Sequence, residues 1–397
     1  MTSQTLLETV SFQVTDDPYD RARDWLFNKA LPFWAIHGVD REHGGFIEQL
    51  RPDGSSAELD FKRTRVLCRQ IYVFSHAALL GWEPGAALAR HGYDFLVAKA
   101  WLGPEAGWAR RLDLHGRVKD PTPDLYDLSF VLFALGWFYR LTRDDEVLNW
   151  ALRTENFIDR HMRPTKGMGF LHEKPAIGPK IQNPHMHLLE AMWVNLETSG
   201  HPKFRAIGDE IIELFTSKLF DKTTKTLAEY FDEDWVRLGD ERGRMVEPGH
   251  HFEWAWLLAG YQRLTGCNLS EYVHSLADFA ETFGVNKSTG VVFNLVRDDG
   301  KVLDAATRVW PNAERIQAAA ALFEQMGKDP HAVFSQTTTL LFNTFLNSSP
   351  EGTWIERYTA DGRPLANEIP ASTLYHIFIA FSEMLRIESK VKTIFKV

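Results

Sequence analysis

Residues 247–258 combine groups that could transfer protons with the start of an apolar helix. Pro248 and Gly249 interrupt the preceding structure, and an apolar run suited to a helix follows at once. His250 and Glu253 are three residues apart, so they share one face in its first turn. Free N–H groups and the positive end of the helix dipole favour anionic oxygens there. The pair therefore suits proton transfer, although a buried structural histidine at a helix start is the competing interpretation.

Other apolar helices of the chain also begin with polar residues. These residues are Arg69, Tyr126 with Asp127, His185 with His187, Trp310 with Glu314, and Tyr375 with His376. A single histidine at a helix start is more often a cap or a hydrogen-bonded core group than a catalyst. Six polar helix starts are harder to explain by packing alone, because buried polar groups need hydrogen-bonding partners. The many hydroxyl groups of a sugar would supply such partners.

Helices and glycine–aromatic segments alternate along the chain with a period of roughly sixty residues. In each repeat an amphipathic helix comes first, as at residues 205–218, and a short hairpin is predicted after it. The second helix is apolar nearly all round, as at residues 130–135, and is therefore expected to be buried. The predicted hairpin aromatics are Phe46, Trp108, Phe170, Tyr230, Phe293 and Trp354.

This repeat predicts an all-α fold, an (α/α)6 barrel with six apolar helices inside and short β-hairpins at the mouth. We expect residues 1–397 to form a single catalytic domain. If the inner helices run parallel, their polar N-terminal residues meet at one mouth. An open helical solenoid is the alternative, but it should carry polar capping repeats, and none is clear in the sequence. The predicted inner helices span residues 64–80, 125–139, 184–196, 250–264, 312–326 and 372–385.

Composition excludes several classes of function. The 397 residues include 44 Lys and Arg against 53 Asp and Glu, a net charge of −9 that disfavours nucleic acid and anionic membranes as partners. Cys68 and Cys267 form neither a disulfide framework nor a zinc cluster. We find no signal peptide and no apolar run of roughly 18 residues that could span a membrane. The sequence predicts a cytoplasmic monomer or homodimer.

Motifs in five inner helices resemble those of the N-acylglucosamine 2-epimerase superfamily, and most nearly its mannose isomerase branch. They are the arginine motif at residues 69–75, Asn-x-x-x-His-x-x-Glu-Ala at residues 183–191, Gly-His-x-x-Glu-Trp at residues 249–254, and the last two at residues 310–314 and 375–376. The resemblance covers nearly the whole chain. It implies an (α/α)6 barrel, a free sugar substrate and proton transfer at C2 of the opened aldose.

The resemblance also implies roles for individual residues. His250 and His376 would be the acid/base pair, and Glu253 would orient His250 or bind a hydroxyl group. The implied substrate-binding residues are Arg69, Tyr126, Asn183, His187, Trp310 and Glu314. Arg69 and His187 would hold the O1 and O2 oxygens. Removing a proton next to a carbonyl needs a base of near-neutral pKa, as in histidine, and an arginine can stabilise the enediolate.

The same resemblance implies that Trp310 and Glu314 line the sugar pocket. No cofactor is implied. No metal is expected either, because the histidines lack the His-x-x-x-His spacing of zinc proteases, and His185 and His187 would diverge on a helix.

Two other classes of protein share this kind of fold. A glycoside hydrolase would use two carboxylates, for which the candidates are Glu48, Glu173, Glu229, Glu253 and Glu314. The histidine pair argues against hydrolysis, which gives it no necessary role. A binding scaffold should show an extended concave face instead of a polar mouth.

Within the family, the sequence shows no motif for an N-acetyl group and no phosphate-binding loop or basic cluster. We therefore predict an unphosphorylated substrate and the isomerisation of D-mannose to D-fructose through a cis-enediol. The alternative is a 2-epimerase of N-acylglucosamine, mannose/glucose or cellobiose.

Overall fold

The computed structural model describes residues 17–365 and 367–396. In chain order its α-helices are α1 (Pro18–Asp24), α2 (Leu31–His37), α3 (Thr64–Leu79), α4 (Pro84–Lys99), α5 (Leu125–Thr142), α6 (Asp145–His161), α7 (Asn183–Ser199), α8 (Pro202–Leu214), α9 (Pro248–Thr265), α10 (Ser270–Phe283), α11 (Val309–Met326), α12 (His331–Leu340) and α13 (Leu374–Phe395). π-Helical turns at Trp25–Ala30, Phe215–Leu219 and Leu341–Phe345 follow α1, α8 and α12. Short 3-10 helices span Glu241–Arg244 and Ala371–Thr373.

Each predicted inner helix is present, and most ends differ from the prediction by only a few residues. Helices α3, α5, α7, α9, α11 and α13 form the inner ring, and each packs against the next around that ring. Helix α13 also packs against α3, which closes the ring. The open solenoid is therefore wrong for this chain, because its first and last repeats are in contact.

The sequence of each helix explains whether it lies in the inner or the outer ring of the barrel. The buried residues of α6 are Val147, Ala151, Thr154, Glu155, Phe157 and Ile158, which follow one face of that helix. In α5, every residue from 127 to 138 is buried, so the helix packs on all sides. Burial stabilises each large apolar side chain by roughly 1.5–3 kcal/mol, which favours the centre of the barrel for helices of this kind.

Short strands lie near the starts of the inner helices. They are β1 (Gln49–Leu50), β2 (Lys62–Arg63), β3 (Arg111–Leu112), β4 (Val118–Asp120), β5 (Lys180–Ile181), β6 (Phe220–Asp221), β7 (Thr226–Leu227), β8 (Tyr230–Phe231), β9 (Met245–Val246), β10 (Leu295–Arg297), β11 (Val302–Asp304), β12 (Thr307–Arg308), β13 (Arg357–Tyr358) and β14 (Ile369–Pro370). All pairings are antiparallel, and β3–β4, β6–β7 and β10–β11 form within a repeat.

The remaining strand pairs join neighbouring repeats, which the sequence did not predict. Strand β2 pairs with β3, β5 with β8, β9 with β10, and β12 with β13. A single bridge between Asp124 and Glu173 links the second repeat to the third. Strand β1 pairs with β14, which ties the first repeat to the last. These links fix the helix starts around the mouth.

The glycine–aromatic segments hold a common structural position in four of the six repeats. Phe46, Trp108, Phe170 and Trp354 are buried there. In the fourth and fifth repeats the bridge to the outer-helix end is made by Leu227 and Val292. The prediction is therefore wrong for Tyr230 and Phe293, which lie further along the chain and are only partly buried. An aliphatic side chain fills the same space, so an aromatic residue is not required.

No helix within residues 17–365 and 367–396 is both long enough and apolar enough to cross a membrane.

Candidate active site

A cavity of about 240 Å³ opens where the six inner helices begin. Every inner helix contributes to its lining. The lining residues are Arg69, Tyr126, Asn183, His187, Glu247, His250, Glu253, Arg308, Trp310, Glu356, Ser372, Thr373 and His376. Eight of the nine predicted site residues are among them. The ninth, Glu314, lies behind His376 and is not part of the cavity wall.

His250 is joined to Glu229, a residue that follows β7 and precedes β8. The Nδ1 atom of His250 lies 3.0 Å from Oε2 of Glu229. Gln182 donates to the same carboxylate oxygen at 2.9 Å, while its own oxygen accepts from Trp254 at 2.7 Å. The resemblance suggested that Glu253 could orient His250. In the structure, Glu229 makes the hydrogen bond that fixes the imidazole ring.

The same contact controls the charge of His250. Burial alone lowers the pKa of this imidazole, but the nearby Glu229 and Glu247 carboxylates and the hydrogen bond to Glu229 raise it to about 9. His250 and two donors, Gln182 and the N–H of Glu247, lower the pKa of Glu229 against the effect of burial. At neutral pH the pair is therefore an imidazolium next to a carboxylate.

Asn183 lies on the other side of the His250 ring. Its amide nitrogen is 2.9 Å from Nε2 of His250, and its amide oxygen has no hydrogen-bond partner among the described residues. An imidazolium Nε2–H is a donor, so it needs the amide oxygen in that position. If the Asn183 amide is turned over, its oxygen accepts a hydrogen bond from the Nε2–H of His250, so that both of these atoms have a partner. Asn183 then accepts from His250 and presents its NH2 group as a donor.

His376, unlike His250, is held in the neutral form. Its Nδ1 atom lies 2.6 Å from Oε1 of Glu314, which also accepts from Gln317 at 2.5 Å through its other oxygen. Burial, followed by the positive charge of Arg69, holds the pKa of His376 well below 6.5. Burial and the neighbouring Glu253 and Glu190 carboxyls raise the pKa of Glu314 well above its usual value. A neutral imidazole near the substrate can act as a base.

The indole of Trp310 lies between the two histidines. Its ring centroid is 5.3 Å from that of His250 and 5.5 Å from that of His376. The two imidazoles therefore contact the same indole in the wall of one cavity. Gly249 makes this arrangement possible, because a Cβ atom there would lie 2.5 Å from the Trp310 ring. A side chain at residue 249 would displace the indole.

Arg69 supplies an unusual positive charge at the base of this cavity. Its guanidinium packs against the rings of Phe130, Tyr375 and Tyr126 at 4.2, 4.9 and 5.7 Å. It donates to the hydroxyl of Tyr126 at 2.7 Å and to the backbone oxygen of Ser372 at 3.2 Å. Among the described residues no carboxylate forms a salt bridge with it. A buried cation without an anionic partner can stabilise an oxyanion that develops during a reaction.

His187 and Glu253 line the side of the cavity opposite His376, and His187 also contacts Glu190, which is not part of the lining. The Nδ1 atom of His187 lies 3.1 Å from Glu190 and 3.6 Å from Glu253. Burial raises the pKa of Glu253 to about 7 and the pKa of Glu190 well above its usual value. The Oε1 atom of Glu253 has no hydrogen-bond partner among the described residues. Glu253 is thus available to bind a substrate hydroxyl.

Two groups of side chains have the composition of a metal site. They are His187 with Glu190 and Glu253, and Glu229 with Glu247 and His250. Within each group the possible ligand atoms lie within 4.8 Å of one another. Hydrogen bonds between histidine and carboxylate already account for these short distances. That the enzyme needs no metal stays a prediction.

The remaining histidines of the motifs are structural. His185 accepts from the N–H of Phe170 at 2.9 Å, and His251 accepts from the N–H of Leu227 at 3.1 Å. Both are fully buried. As expected, His185 diverges from His187 and His251 faces the barrel wall.

A larger cavity of about 790 Å³ lies among the C-terminal parts of the inner helices. Four tryptophans contribute to its wall: Trp82, Trp137, Trp193 and Trp256. Its arginines include Arg140, which pairs with Glu197, and Arg263, which pairs with Glu324. Burial lowers the pKa of its histidine, His76, to about 3. The proton-transfer groups meet in the smaller cavity, so we assign the chemistry to that one.

Comparison with known proteins agrees with this geometry. The family model described as N-acylglucosamine 2-epimerase matches residues 45–380. A relative named mannose-6-phosphate isomerase, from Rhizobium meliloti (strain 1021), is 32% identical over 91% of this chain and 95% of its own length. The chain belongs to the N-acylglucosamine 2-epimerase family. It is therefore an isomerase in the broad sense that includes sugar isomerases and sugar 2-epimerases.

Solved structures confirm the fold of this family member. A D-mannose isomerase superposes with a TM-score of 0.84 at 23% identity, covering 95% of this chain and 100% of that one. A cellobiose 2-epimerase from Bacillus thermoamylovorans B4167 also has a TM-score of 0.84, at 24% identity, covering 93% and 98%. The predicted all-α (α/α)6 barrel is confirmed.

Proposed function

We propose that this protein, as a single catalytic domain, interconverts unphosphorylated D-mannose and D-fructose. The observation that supports this most directly is that two histidines, each with a carboxyl group beside Nδ1, line one cavity. His376 is neutral and suited to remove a proton, whereas His250 is charged and suited to donate one. Arg69, a buried cation without a carboxylate partner, adds stabilisation of an enediolate.

The reaction follows from these charge states. His376 takes the C2 proton of the opened aldose, and the electron pair moves to the C1 carbonyl oxygen. Arg69 stabilises the resulting cis-enediolate while the His250 imidazolium gives its proton to O1. His376 then returns its proton to C1 as the electrons of the O2–H bond form the C2 carbonyl. His250 takes the O2 proton, so both histidines finish in their starting states.

The size and charge of the cavity support a small neutral substrate. Its volume, about 240 Å³, is below the roughly 300–1,000 Å³ typical of sites for drug-sized ligands, which favours a monosaccharide over a disaccharide. Among the described residues the lining cations are Arg69, Arg308 and the charged His250, against three carboxyls, and His250 already pairs with Glu229. Arg308 already pairs with Glu247 at 3.0 Å. A phosphate group would meet more acidic than free basic groups there.

A sugar phosphate is nevertheless the substrate in the name of one relative, the mannose-6-phosphate isomerase. The comparison is direct: kcat/KM should be higher for D-mannose than for D-mannose 6-phosphate. The reverse order would show that the acidic lining does not exclude phosphate.

Epimerisation at C2 is the second candidate. It needs a donor on the face of the sugar opposite the base, and a charged His250 across Trp310 from His376 could serve. The similar cellobiose 2-epimerase fold is compatible with that chemistry. Hydrolysis is less well supported, because Glu48 and Glu173 pair with Arg63 and Arg110 outside the cavity lining.

An NMR time course in D2O separates the candidates. D-mannose should yield D-fructose that carries deuterium at C1, to the extent that the proton held by His376 exchanges with D2O before it is returned. Deuterium at C2 of an epimeric aldose, without ketose, would establish the epimerase instead. A panel of other aldoses, with N-acylglucosamine and cellobiose, tests the substrate range. Release of reducing sugar from oligosaccharides, without exchange in any aldose, would point to a hydrolase.

A further inference from the structure

Glu356 is a carboxyl of the cavity wall that the proposed proton transfers do not use. It follows Trp354 in the sixth repeat and lies directly before β13. Its backbone oxygen accepts from the N–H of Val309, which anchors it beside the start of α11. Trp354 and Thr373 donate to its Oε2 atom at 3.1 and 2.9 Å. No hydrogen bond among the described residues reaches the other carboxyl oxygen, Oε1.

Glu356 lies on the side of the cavity where α13 begins. Thr373, its hydrogen-bond donor, ends the 3-10 helix that leads into α13, and His376 follows one turn later. Glu356 therefore lies beside the start of α13, before the turn that carries His376. A sugar whose C1 and C2 contact His376 and Arg69 would extend its other carbons toward Glu356.

The neighbours of Glu356 favour a hydroxyl group as its partner. Arg308, the cation on this side, already bonds to Glu247 at 3.0 Å and to Asn294 at 2.9 Å. Burial raises the pKa of Glu356 to about 7 against the effect of its two donors. The carboxyl can thus accept from a hydroxyl group when ionised and donate to one when protonated. A phosphate dianion would face its negative charge.

We propose that Glu356 is a specificity-determining residue that binds a hydroxyl group at the non-reacting end of the sugar, C4 to C6, and disfavours a phosphate there. This inference rests on the proposed isomerisation. It adds the contact by which the site would distinguish one hexose from another. Trp354 and Thr373 hold the carboxyl in place and leave Oε1 for the substrate.

The test measures kcat/KM for several aldoses with wild type, E356A and E356Q. The substrates are D-mannose, its 4-deoxy and 6-deoxy analogues, D-lyxose, which lacks C6, and D-mannose 6-phosphate. E356A should lower kcat/KM for D-mannose by about ten- to a hundredfold, the range for a hydrogen bond to a charged group. For the analogue that lacks the contacted hydroxyl, E356A should change kcat/KM much less.

The glutamine variant separates charge from shape. E356Q keeps an acceptor for Trp354 and Thr373 and a polar group in the Oε1 position. It should reduce the preference for D-mannose over its 6-phosphate several-fold, since only the negative charge is lost. E368Q is the matched control, because Glu368 is an exposed carboxylate before β14 that does not line the cavity. It should leave the substrate profile of wild type unchanged.

The outcomes distinguish this inference from the proposed function. An equal loss for all aldoses in E356A, with an unchanged phosphate preference in E356Q, would assign Glu356 a purely structural role and overturn the inference. Thermal unfolding of each variant identifies losses that come from misfolding. Failure of wild type to convert any aldose would overturn the proposed function itself.

Discussion

Replacing Glu229 by glutamine tests whether this carboxylate keeps His250 charged. The substitution removes the negative charge but retains the size of the side chain and an oxygen that can accept from His250. The cavity lining is untouched, because Glu229 lies behind His250 and contacts it through Nδ1 at 3.0 Å. A change in catalysis should therefore come from the protonation of the imidazole.

The expected size follows from the pKa of His250. Its rise from 6.5 to about 9 corresponds to roughly 3 kcal/mol in favour of the imidazolium. Glu229 is the first of the groups that raise this pKa, so without it the pKa should fall toward the ordinary value for histidine of about 6.5. At pH 8 the charged fraction would then fall from about nine-tenths to a few per cent. If the imidazolium is the active form, E229Q should lose at least roughly tenfold in kcat/KM at pH 8.

The assay is the pH dependence of kcat/KM between pH 5 and pH 10, which reports groups of the free enzyme. Wild type should lose activity as the pH rises through about 9, and E229Q should lose it at least two pH units lower. E247Q is a graded control, because Glu247 acts on His250 through charge without a hydrogen bond to it. An alkaline limb that stays near pH 9 in E229Q would refute the reasoning.

The free energy of unfolding should also depend on the protonation of His250. The pKa of His250 is higher in the folded protein than in the unfolded chain, so its contribution is complete below about pH 6.5. That contribution is lost as the pH rises through about 9. The difference in free energy of unfolding between wild type and E229Q should shrink across this window.

Three further predictions concern the site. His250→Ala or His376→Ala should reduce the rate by on the order of a hundredfold or more and leave the fold largely intact, whereas His251→Ala should affect the rate much less; similar small losses in all three would show that these are packing residues. Gly249→Ala should raise KM by displacing Trp310, and an unchanged KM would mean that the indole does not shape the sugar site. Activity should survive EDTA; loss that a divalent ion restores would establish a metal requirement.

The sequence predicted the features that depend on local pattern. The apolar periodicity marked the inner helices, and the polar residues in their first two turns marked Arg69, His187 and His250. Six parallel helices in a ring bring these turns together, and with Asn183, which the family resemblance added, eight of the nine predicted residues line the cavity. Knowledge of each contact was not necessary, because the repeat alone determines that these residues meet.

Features that depend on contacts between distant segments were not predicted. Glu229 was weighed as a hydrolase carboxylate, yet it bonds to His250, and Gln182 was not considered. Glu314 follows Trp310 by four residues, but its side chain points to His376 from behind. Glu356 lies outside every inner helix. The strand pairs and side-chain bonds that place these groups join separate parts of the chain, so no local pattern reports them.

The two buried histidines of the site differ in the state of the carboxyl group beside Nδ1. Both imidazoles are buried, and each has a carboxyl oxygen within 3.0 Å of Nδ1. His250, through its charge and its hydrogen bond, lowers the pKa of Glu229 against the effect of burial, and Gln182 and the backbone N–H of Glu247 lower it further. Glu314 instead shares its surroundings with the Glu190 and Glu253 carboxyls, which raise its pKa further. The ionised Glu229 therefore offsets the effect of burial on the pKa of His250, whereas burial and the positive charge of Arg69 keep the pKa of His376 low.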